Sequence, residues 1–129
     1  MRDMIATGQE DAGAERRTQL LRGVLDMCML ALLAKAPAHG YELVRRLNSA
    51  GFDPVGYGTV YPLLTRMRRL GLVADELQSS PNGPPRKVYA LTDAGHRTLG
   101  DWTLQWSGFA NMINATLTDV ASSISNAER

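Results

Sequence analysis

The chain has 129 residues, of which 44% are hydrophobic, and a formal net charge of +1 at pH 7. This length predicts a single domain with a modest core, which association with a second copy would help to stabilise. The longest apolar run, residues 27–34, is far too short to span a bilayer, and the first residues lack a signal-peptide pattern. A single cysteine, Cys28, excludes an internal disulfide and suits a reducing compartment. We therefore expect a cytoplasmic protein that needs no metal and no cofactor.

The charge is unevenly distributed along the chain. Residues 39–91 carry seven Lys or Arg and four Asp or Glu, a net of +3, whereas residues 92–129 carry two and four, a net of −2. A basic middle and an acidic end fit one part that faces DNA and another that does not. Because a net charge of +3 in residues 39–91 is small, it does not by itself indicate DNA binding, and the prediction of function depends on the motifs.

The N-terminal third is predicted to contain an arm and a helix. Residues 1–14 lack periodicity and are predicted to be a disordered arm. A helix is predicted over residues 15–35, where Leu21 and Leu25 recur at helical spacing and other leucines and methionines widen the apolar surface. Such a helix is buried in the core or shared with a second subunit. Cys28 lies within it and is interpreted as a core residue, the alternative being a sensing thiol.

A second, shorter helix is predicted over residues 39–48. Its inner face is predicted to comprise Tyr41, Leu43, Val44 and Leu47. Arg45 and Arg46 are expected to point away from the core. His39 precedes the helix and is expected to bond its backbone groups; metal ligation is the weaker alternative, because the sequence offers only one other histidine and one cysteine.

The stretch at residues 56–73 carries the strongest signal for DNA binding. Its apolar stripe, at helical spacing, is Val60, Leu63, Leu64, Met67 and Leu70. Its other side carries Tyr61, Thr65, Arg66, Arg68 and Arg69. Pro62 is expected in the first helical turn, and Gly71 is placed to end the helix. A short helix with an arginine-rich front suits the major groove of DNA; the alternative is a solvated surface helix.

Two strands and a loop are predicted after this helix. Residues 72–78 and 86–91 have strand character, and residues 79–85 carry the Ser, Pro, Asn and Gly that favour a loop. Together these elements predict a winged helix-turn-helix with a two-stranded wing, a mainly α (α+β) fold, over residues 15–92. Arg86 and Lys87 lie beside the hairpin tip, where a wing meets phosphates.

Residues 93–129 are predicted to form a long C-terminal helix that begins at the capping pair Thr92 and Asp93. Its apolar stripe is Trp102, Trp106, Phe109, Ile113, Leu117, Val120 and Ile124. Because little core remains for this stripe to cover, the helix is predicted to dimerise. The predicted dimer interface comprises Leu21, Leu25, Trp102, Trp106, Phe109, Ile113, Leu117 and Val120.

These motifs resemble those of the PadR family of bacterial transcriptional regulators. The matching stretches are LLRGVLD at residues 20–26, AHGYEL at 38–43, YGTVYPLL at 57–64, LGLV at 70–73, PRKVY at 85–89 and LTDAG at 91–95. The single-helix tail is similar to the shorter branch of the family. The resemblance implies a winged-helix DNA-binding domain, a C-terminal dimerisation helix, and repression of promoters that is commonly relieved by a small molecule.

The resemblance also implies which residues meet operator DNA. By analogy, the recognition helix begins with Tyr57, Gly58, Thr59, Tyr61 and Pro62, and the wing binds DNA through Arg86 and Lys87. The exposed side of the helix adds Thr65, Arg66 and Arg69 as groove or phosphate contacts.

An effector site is a further implication of the resemblance. In some drug-responsive relatives, a tryptophan in the C-terminal helix pairs with its dimer mate and sandwiches planar aromatic molecules, and Trp106, followed by Ser107, matches that place. The predicted ligand-binding residues are Trp106, Trp102, Phe109, Met27 and Leu30. The alternative is that both tryptophans simply fill the dimer interface.

No enzymatic activity is expected, because the sequence has no Gly-rich phosphate loop, no nucleophile–base arrangement and no carboxylate pair on one face. The predicted function is that of a homodimeric repressor released from operator DNA by a small planar aromatic ligand. The alternative is a winged-helix protein-interaction module without ligand sensing, which would lack the steep salt dependence of DNA binding.

Overall fold

The computed structural model describes residues 2–127, with side chains from residue 11 onward. The elements in chain order are α1 (Arg2–Arg22), α2 (Leu25–Lys35), β1 (Ala38–His39), α3 (Gly40–Leu47), a π-helical turn (Asn48–Phe52), α4 (Tyr57–Arg69), β2 (Val73–Ser80), β3 (Gly83–Leu91) and α5 (Asp93–Ala127). This mainly helical α+β winged helix confirms the predicted fold class. No helix in the described part of the chain is long and apolar enough to cross a membrane.

The N-terminal helical region differs from the prediction in two respects. Helix α1 runs through the segment predicted to be a disordered arm, of which only Met1 lies outside the described residues. Helix α1 as a whole contains three alanines and four arginines, residues of high helix propensity, so a helix forms without an apolar stripe. In addition, the single helix predicted over residues 15–35 is divided by a turn at Gly23 and Val24, where Val24 has φ −127° and ψ −8°.

The core lies between α2, α3, α4 and the sheet. Its fully buried side chains are Met29, Leu30, Leu43, Leu47, Val60, Leu64 and Met67. These residues recur at helical spacing, so each of the three helices contributes one apolar face. The predicted stripe of α4 is therefore confirmed at its three buried positions, whereas Leu70 is 53% exposed.

The half-buried Cys28 lies beside this core. Burial, and secondarily the neighbouring carboxylate of Asp26, raises the pKa of the Cys28 thiol. Because the thiolate is the reactive form, this environment favours the structural interpretation of Cys28 over a sensing thiol.

The sheet has three antiparallel strands in the order β1-β3-β2. In the hairpin, Val73 pairs with Leu91 and Ser80 with Gly83, so the connection is two residues long and shorter than the predicted loop of residues 79–85. The register shifts by one residue opposite Pro84 and Pro85. Prolines have no N–H to donate to a strand ladder, which explains why an irregularity occurs there.

Strand β1 was not predicted from the sequence. Its two residues pair with the middle strand, Ala38 with Tyr89 and His39 with Val88. A two-residue strand has no periodic signature, and it forms only because β3 is present beside it. This pairing joins the beginning of α3 to the wing.

Helix α4 begins at Tyr57, so Pro62 lies in the second turn and not in the first turn as predicted. The proline leaves the carbonyl of Gly58 without its usual helical donor, and Gly58 is exposed to water, which limits the cost. The end of the helix agrees with the prediction. Gly71 has φ +77°, and the Leu72 N–H donates to the Met67 carbonyl at 2.9 Å, which is a Schellman motif.

Helix α5 is attached to the end of α4 through Thr92. The Thr92 Oγ1 donates to the Gly71 carbonyl at 2.6 Å and accepts the Gly95 N–H at 3.0 Å, which confirms the predicted cap. Gly95 packs directly on the backbone of Leu72, so a Cβ at this position would overlap the Leu72 carbonyl oxygen. The first turn of α5 therefore needs glycine for space.

We expect Gly95→Ala to lower the free energy of unfolding by about 1–3 kcal/mol, because a backbone carbonyl cannot rotate away from an added methyl group. Gly100→Ala is the matched control, since a Cβ there meets no atom within 4 Å. In a helix that control should stabilise by up to about 1 kcal/mol. Chemical denaturation of both variants checks this, and equal effects of the two substitutions would contradict the packing described for Gly95.

Candidate nucleic-acid interface

The outer face of α4 lies opposite its buried stripe. At about 100° per residue, Pro62, Thr65 and Arg69 are on the far side from Val60, and Arg66 is adjacent to them. All four of these outer residues are exposed, as are Gly58, Thr59 and Tyr61, whereas Tyr57 is half-buried. The residues of α4 predicted to contact DNA therefore share one surface, with Tyr57 at its edge.

The cations near this surface differ in their ionic partners. Arg68 Nη1 lies 3.1 Å and Lys87 Nζ lies 3.8 Å from the same Asp75 Oδ2. Among the side chains of residues 11–127, by contrast, no carboxylate forms a salt bridge with Arg66 or Arg69. The positive charges of Arg66 and Arg69 are therefore exposed to solvent and are not neutralised by any of these carboxylates. The pairs with Asp75 are exposed and worth at most about 1 kcal/mol, so phosphates can compete for those cations.

A groove of about 580 Å³ separates the beginning of α4 from the wing. We call it the tyrosine groove, and its lining residues are His39, Gly40, Tyr41, Tyr57, Tyr61, Pro84, Arg86, Lys87 and Tyr89. It brings together α3, α4 and β3, which are distant in sequence. The two predicted wing residues, Arg86 and Lys87, thus lie on the same groove as the first turns of α4.

Stacked rings form one wall of the tyrosine groove. The rings of Tyr41 and Tyr57 are stacked with centroids 4.5 Å apart, and the Tyr61 ring lies 5.5 Å from that of Tyr57. Gly40 makes room for this arrangement, because a Cβ there would lie 2.6 Å from Cε2 of Tyr57. Burial first, and then the two neighbouring tyrosines, raises the pKa of Tyr57. The phenolic O–H of Tyr57 can donate a hydrogen bond to a phosphate.

Two predictions for α3 were wrong. Tyr41, which was assigned to the inner face, is 69% exposed because it stacks on Tyr57 of α4 and not on the core. Arg46, which was expected to point away, is half-buried and donates from Nη1 to the Ala36 carbonyl at 2.8 Å. Arg45 does face solvent, and its hydrogen bond to Glu42 is the main cause of a lowered pKa of that carboxyl group.

His39 has a local role that the sequence predicted and a long-range contact that it did not. Its Nδ1 accepts the Glu42 N–H at 3.2 Å and caps α3, as expected. Its Nε2 lies 3.3 Å from Arg86 Nη1 on the wing. The AHGYEL motif already singled out this histidine in the sequence. Its contact with Arg86, however, depends on the pairing of β1 with β3, which the sequence did not predict.

A second cleft, of about 280 Å³, lies between the beginning of α2 and the middle of α5. Its lining residues are Gly23, Val24, Asp26, Met27, Trp102, Gln105, Trp106 and Phe109. Four of the five predicted ligand-binding residues therefore lie together. The fifth, Leu30, is fully buried among the core residues and does not line the cleft, which corrects that assignment.

From this cleft onward, α5 carries an apolar stripe that the described chain leaves about half exposed. Its members, between 48% and 62% exposed, are Trp106, Phe109, Ile113, Leu117, Val120 and Ile124. Of the predicted interface residues on the first helical segments, Leu21 is half-buried and remains accessible. Leu25 is only 4% exposed because it packs into the core of its own chain, so its assignment to a dimer interface was wrong.

Comparison with known proteins agrees with this architecture. The model of the transcriptional regulator PadR-like family matches residues 29–101, which is more than half of the chain. The chain is similar to the crystal structure of a PadR-like transcriptional regulator from Bacillus cereus, with 38% identity, TM-score 0.70, and coverage of 77% of this chain and 96% of that one. It is also similar to a PadR family regulator from Eggerthella lenta, with 34% identity, TM-score 0.80, and coverage of 86% and 96% respectively.

The family consists of DNA-binding transcriptional regulators and not of enzymes. A winged-helix fold, found together with a family match of this extent, identifies the chain as a member of the PadR-like family of transcriptional regulators.

Proposed function

We propose that the protein is a cytoplasmic homodimeric repressor that places α4 in the major groove of operator DNA and leaves the DNA when a planar aromatic ligand binds. The strongest support is the exposed face of α4, where Arg66 and Arg69 carry unshared charge beside Thr65. An arginine fork can bind guanine edges or phosphates, and a hydroxyl can bind either. The DNA-binding surface then comprises Tyr57, Gly58, Thr59, Tyr61, Pro62, Thr65, Arg66, Arg69, Arg86 and Lys87.

A second copy of the chain is the proposed partner for the α5 stripe. Half-exposed Phe109, Ile113 and Leu117 form a continuous apolar surface of a kind that isolated soluble proteins seldom expose. A two-fold dimer would cover this stripe and would set two recognition helices at a fixed separation, which suits a palindromic operator.

The cleft beside Trp106 is the proposed effector site. Its 280 Å³ volume is slightly below the range of about 300–1,000 Å³ that is usual for small-molecule sites. A second α5 packed over the stripe would enlarge and close this cleft, so the ligand would bind at the dimer interface. Trp102 and Trp106 offer aromatic faces for stacking, while Asp26 and Gln105 offer polar groups for orientation.

Replacing Arg66 and Arg69 together by alanine should weaken binding to operator DNA by roughly a hundredfold, because two charge-assisted contacts are lost. The operator would first be obtained by selection from a random-sequence library, and affinity would be measured at several salt concentrations. If both arginines meet phosphates, the slope of log affinity against log salt should become shallower by about 1.8.

The matched control is Lys35→Ala with Arg97→Ala, which removes two exposed cations outside this surface. Equal affinities of the two double variants would show that α4 does not read DNA. A chain that instead formed a salt-insensitive complex with another protein would support the interaction-module alternative.

Ile113→Glu should convert the dimer into a monomer, because it places a charge in the middle of the proposed interface. Asn111→Glu is the control, since Asn111 lies on the opposite side of α5 and is also exposed. Light scattering after size-exclusion chromatography would measure the mass. A dimeric Ile113→Glu variant would place the interface elsewhere.

Tryptophan fluorescence should be quenched saturably by planar aromatic compounds, and the same compounds should release operator DNA. Trp106→Leu should strongly weaken the quenching, which Trp102 then reports, while the dimer remains, since it removes one of the two proposed stacking faces. Unchanged release of DNA from that variant would mean that the effector acts at another site. If no compound quenches the fluorescence or releases DNA, the two tryptophans only pack at the dimer interface.

A further inference from the structure

The hydrogen bonds of His39 determine where its ring carries a hydrogen. The backbone N–H of Glu42 can only donate, and it points at His39 Nδ1 from 3.2 Å. Nδ1 must therefore supply a lone pair, and a neutral imidazole that accepts at one nitrogen carries its hydrogen on the other. The cap of α3 thus turns Nε2 into an N–H donor that points away from the helix.

The group that faces this donor is a donor as well. Arg86 Nη1 lies 3.3 Å from His39 Nε2, and a guanidinium has no acceptor atom. The two N–H groups therefore cannot satisfy one another. Within the part of the chain that the structure describes, neither Nε2 nor the Arg86 guanidinium has a hydrogen-bond acceptor. Two converging donors, one of them charged, form a site for an anionic oxygen.

This pair lies on the tyrosine groove, next to the recognition helix. His39 and Arg86 share the groove lining with Tyr57 and Tyr61 of α4 and with Lys87 of the wing. His39 is also the N-cap of α3, and helix N-termini favour negative charge. An extended anionic chain that passes α4 along this groove would therefore pass both donors.

We propose that His39 Nε2–H and the Arg86 guanidinium together bind one phosphate of the DNA backbone, and that His39 is a DNA contact in addition to the cap of α3. This inference rests on the DNA-binding surface proposed above. The shared phosphate lies where the beginning of α3 meets the wing. Its contacts with both residues fix the distance between α4 in the major groove and the hairpin of β2 and β3.

His39→Asn separates the two roles of the histidine. Asparagine is among the best N-cap residues, so the variant keeps an acceptor for the Glu42 N–H and a normal melting temperature. Its short side chain lacks the outward donor. We expect operator affinity to fall about tenfold, as for the loss of one charge-assisted hydrogen bond. His96→Asn, which changes an exposed histidine on α5, should bind as the unchanged protein does.

A scan with single methylphosphonates identifies the phosphate. Operator duplexes that each carry one uncharged methylphosphonate would be bound by the unchanged protein, by His39→Asn and by Arg86→Gln. At one position in each half-site, neutralisation should weaken the unchanged protein but neither variant. The fold-loss of operator affinity in the double variant His39→Asn/Arg86→Gln should be less than the product of the fold-losses in the two single variants, because both residues bind the same phosphate.

Several results would overturn the proposal. Unchanged affinity of a normally folded His39→Asn variant would leave the histidine as a cap only, and a loss that is equal at every methylphosphonate position would indicate a general structural effect. If His39→Asn has a lowered melting temperature, the Arg86→Gln scan still tests the proposal, since an unaltered methylphosphonate profile in that variant excludes the shared phosphate.

The variants of Arg66 and Arg69 distinguish failure of this inference from failure of the proposed function. If they also bind operator DNA normally, the proposed DNA-binding surface is wrong as a whole. If affinity is lost only in those variants, the His39 site alone is rejected.

Discussion

Burial of one face of α4 is the constraint on which the proposed DNA-binding surface depends. Val60, Leu64 and Met67 are almost completely removed from solvent, and full burial of such side chains stabilises by about 1.5–3 kcal/mol each. The exposed ion pair of Arg68 with Asp75 contributes at most about 1 kcal/mol. Apolar packing therefore orients the helix, and its arginines face outward as a consequence of that orientation.

The position of α4 also depends on hydrogen bonds in the segment before it. The Asn48 side chain donates to the carbonyls of Val44 and Val55, each at 2.8 Å, and accepts the Val55 N–H at 3.0 Å. From α1, Arg17 donates to the Gly51 carbonyl at 2.8 Å. These bonds give an otherwise irregular turn a defined path. They also connect the N-terminal helix to the beginning of the recognition element.

Helix α5 is joined to the rest of the structure near its beginning. Thr92 binds the end of α4 to the beginning of α5, and Leu99 and Trp102 pack against the core. Beyond Trp102 the helix leaves the core and its apolar stripe is open. The two Thr92 hydrogen bonds therefore fix the beginning of α5 against the end of α4.

Local sequence signals were sufficient for most of the fold. Helical spacing located α4 and its buried face, Gly71 and Thr92 marked ends that depend only on nearby residues, and the motifs in their order indicated the family. The break at Gly23 and the helix over the predicted arm were missed, because marginal helices depend on small differences in propensity.

Contacts between distant segments were decided only by the tertiary structure. The pairing of β1 with β3 brings His39 to Arg86, and the stack of Tyr41 on Tyr57 turns an expected core residue outward. Leu25 is likewise buried by residues of its own chain, so it is not available to a second subunit. A periodic pattern reports which face of an element is apolar, but only the packed neighbours determine what covers that face. The sequence therefore determined α4, its buried face and the family, while the three-dimensional arrangement decided which side chains surround the groove where α4 and the wing meet.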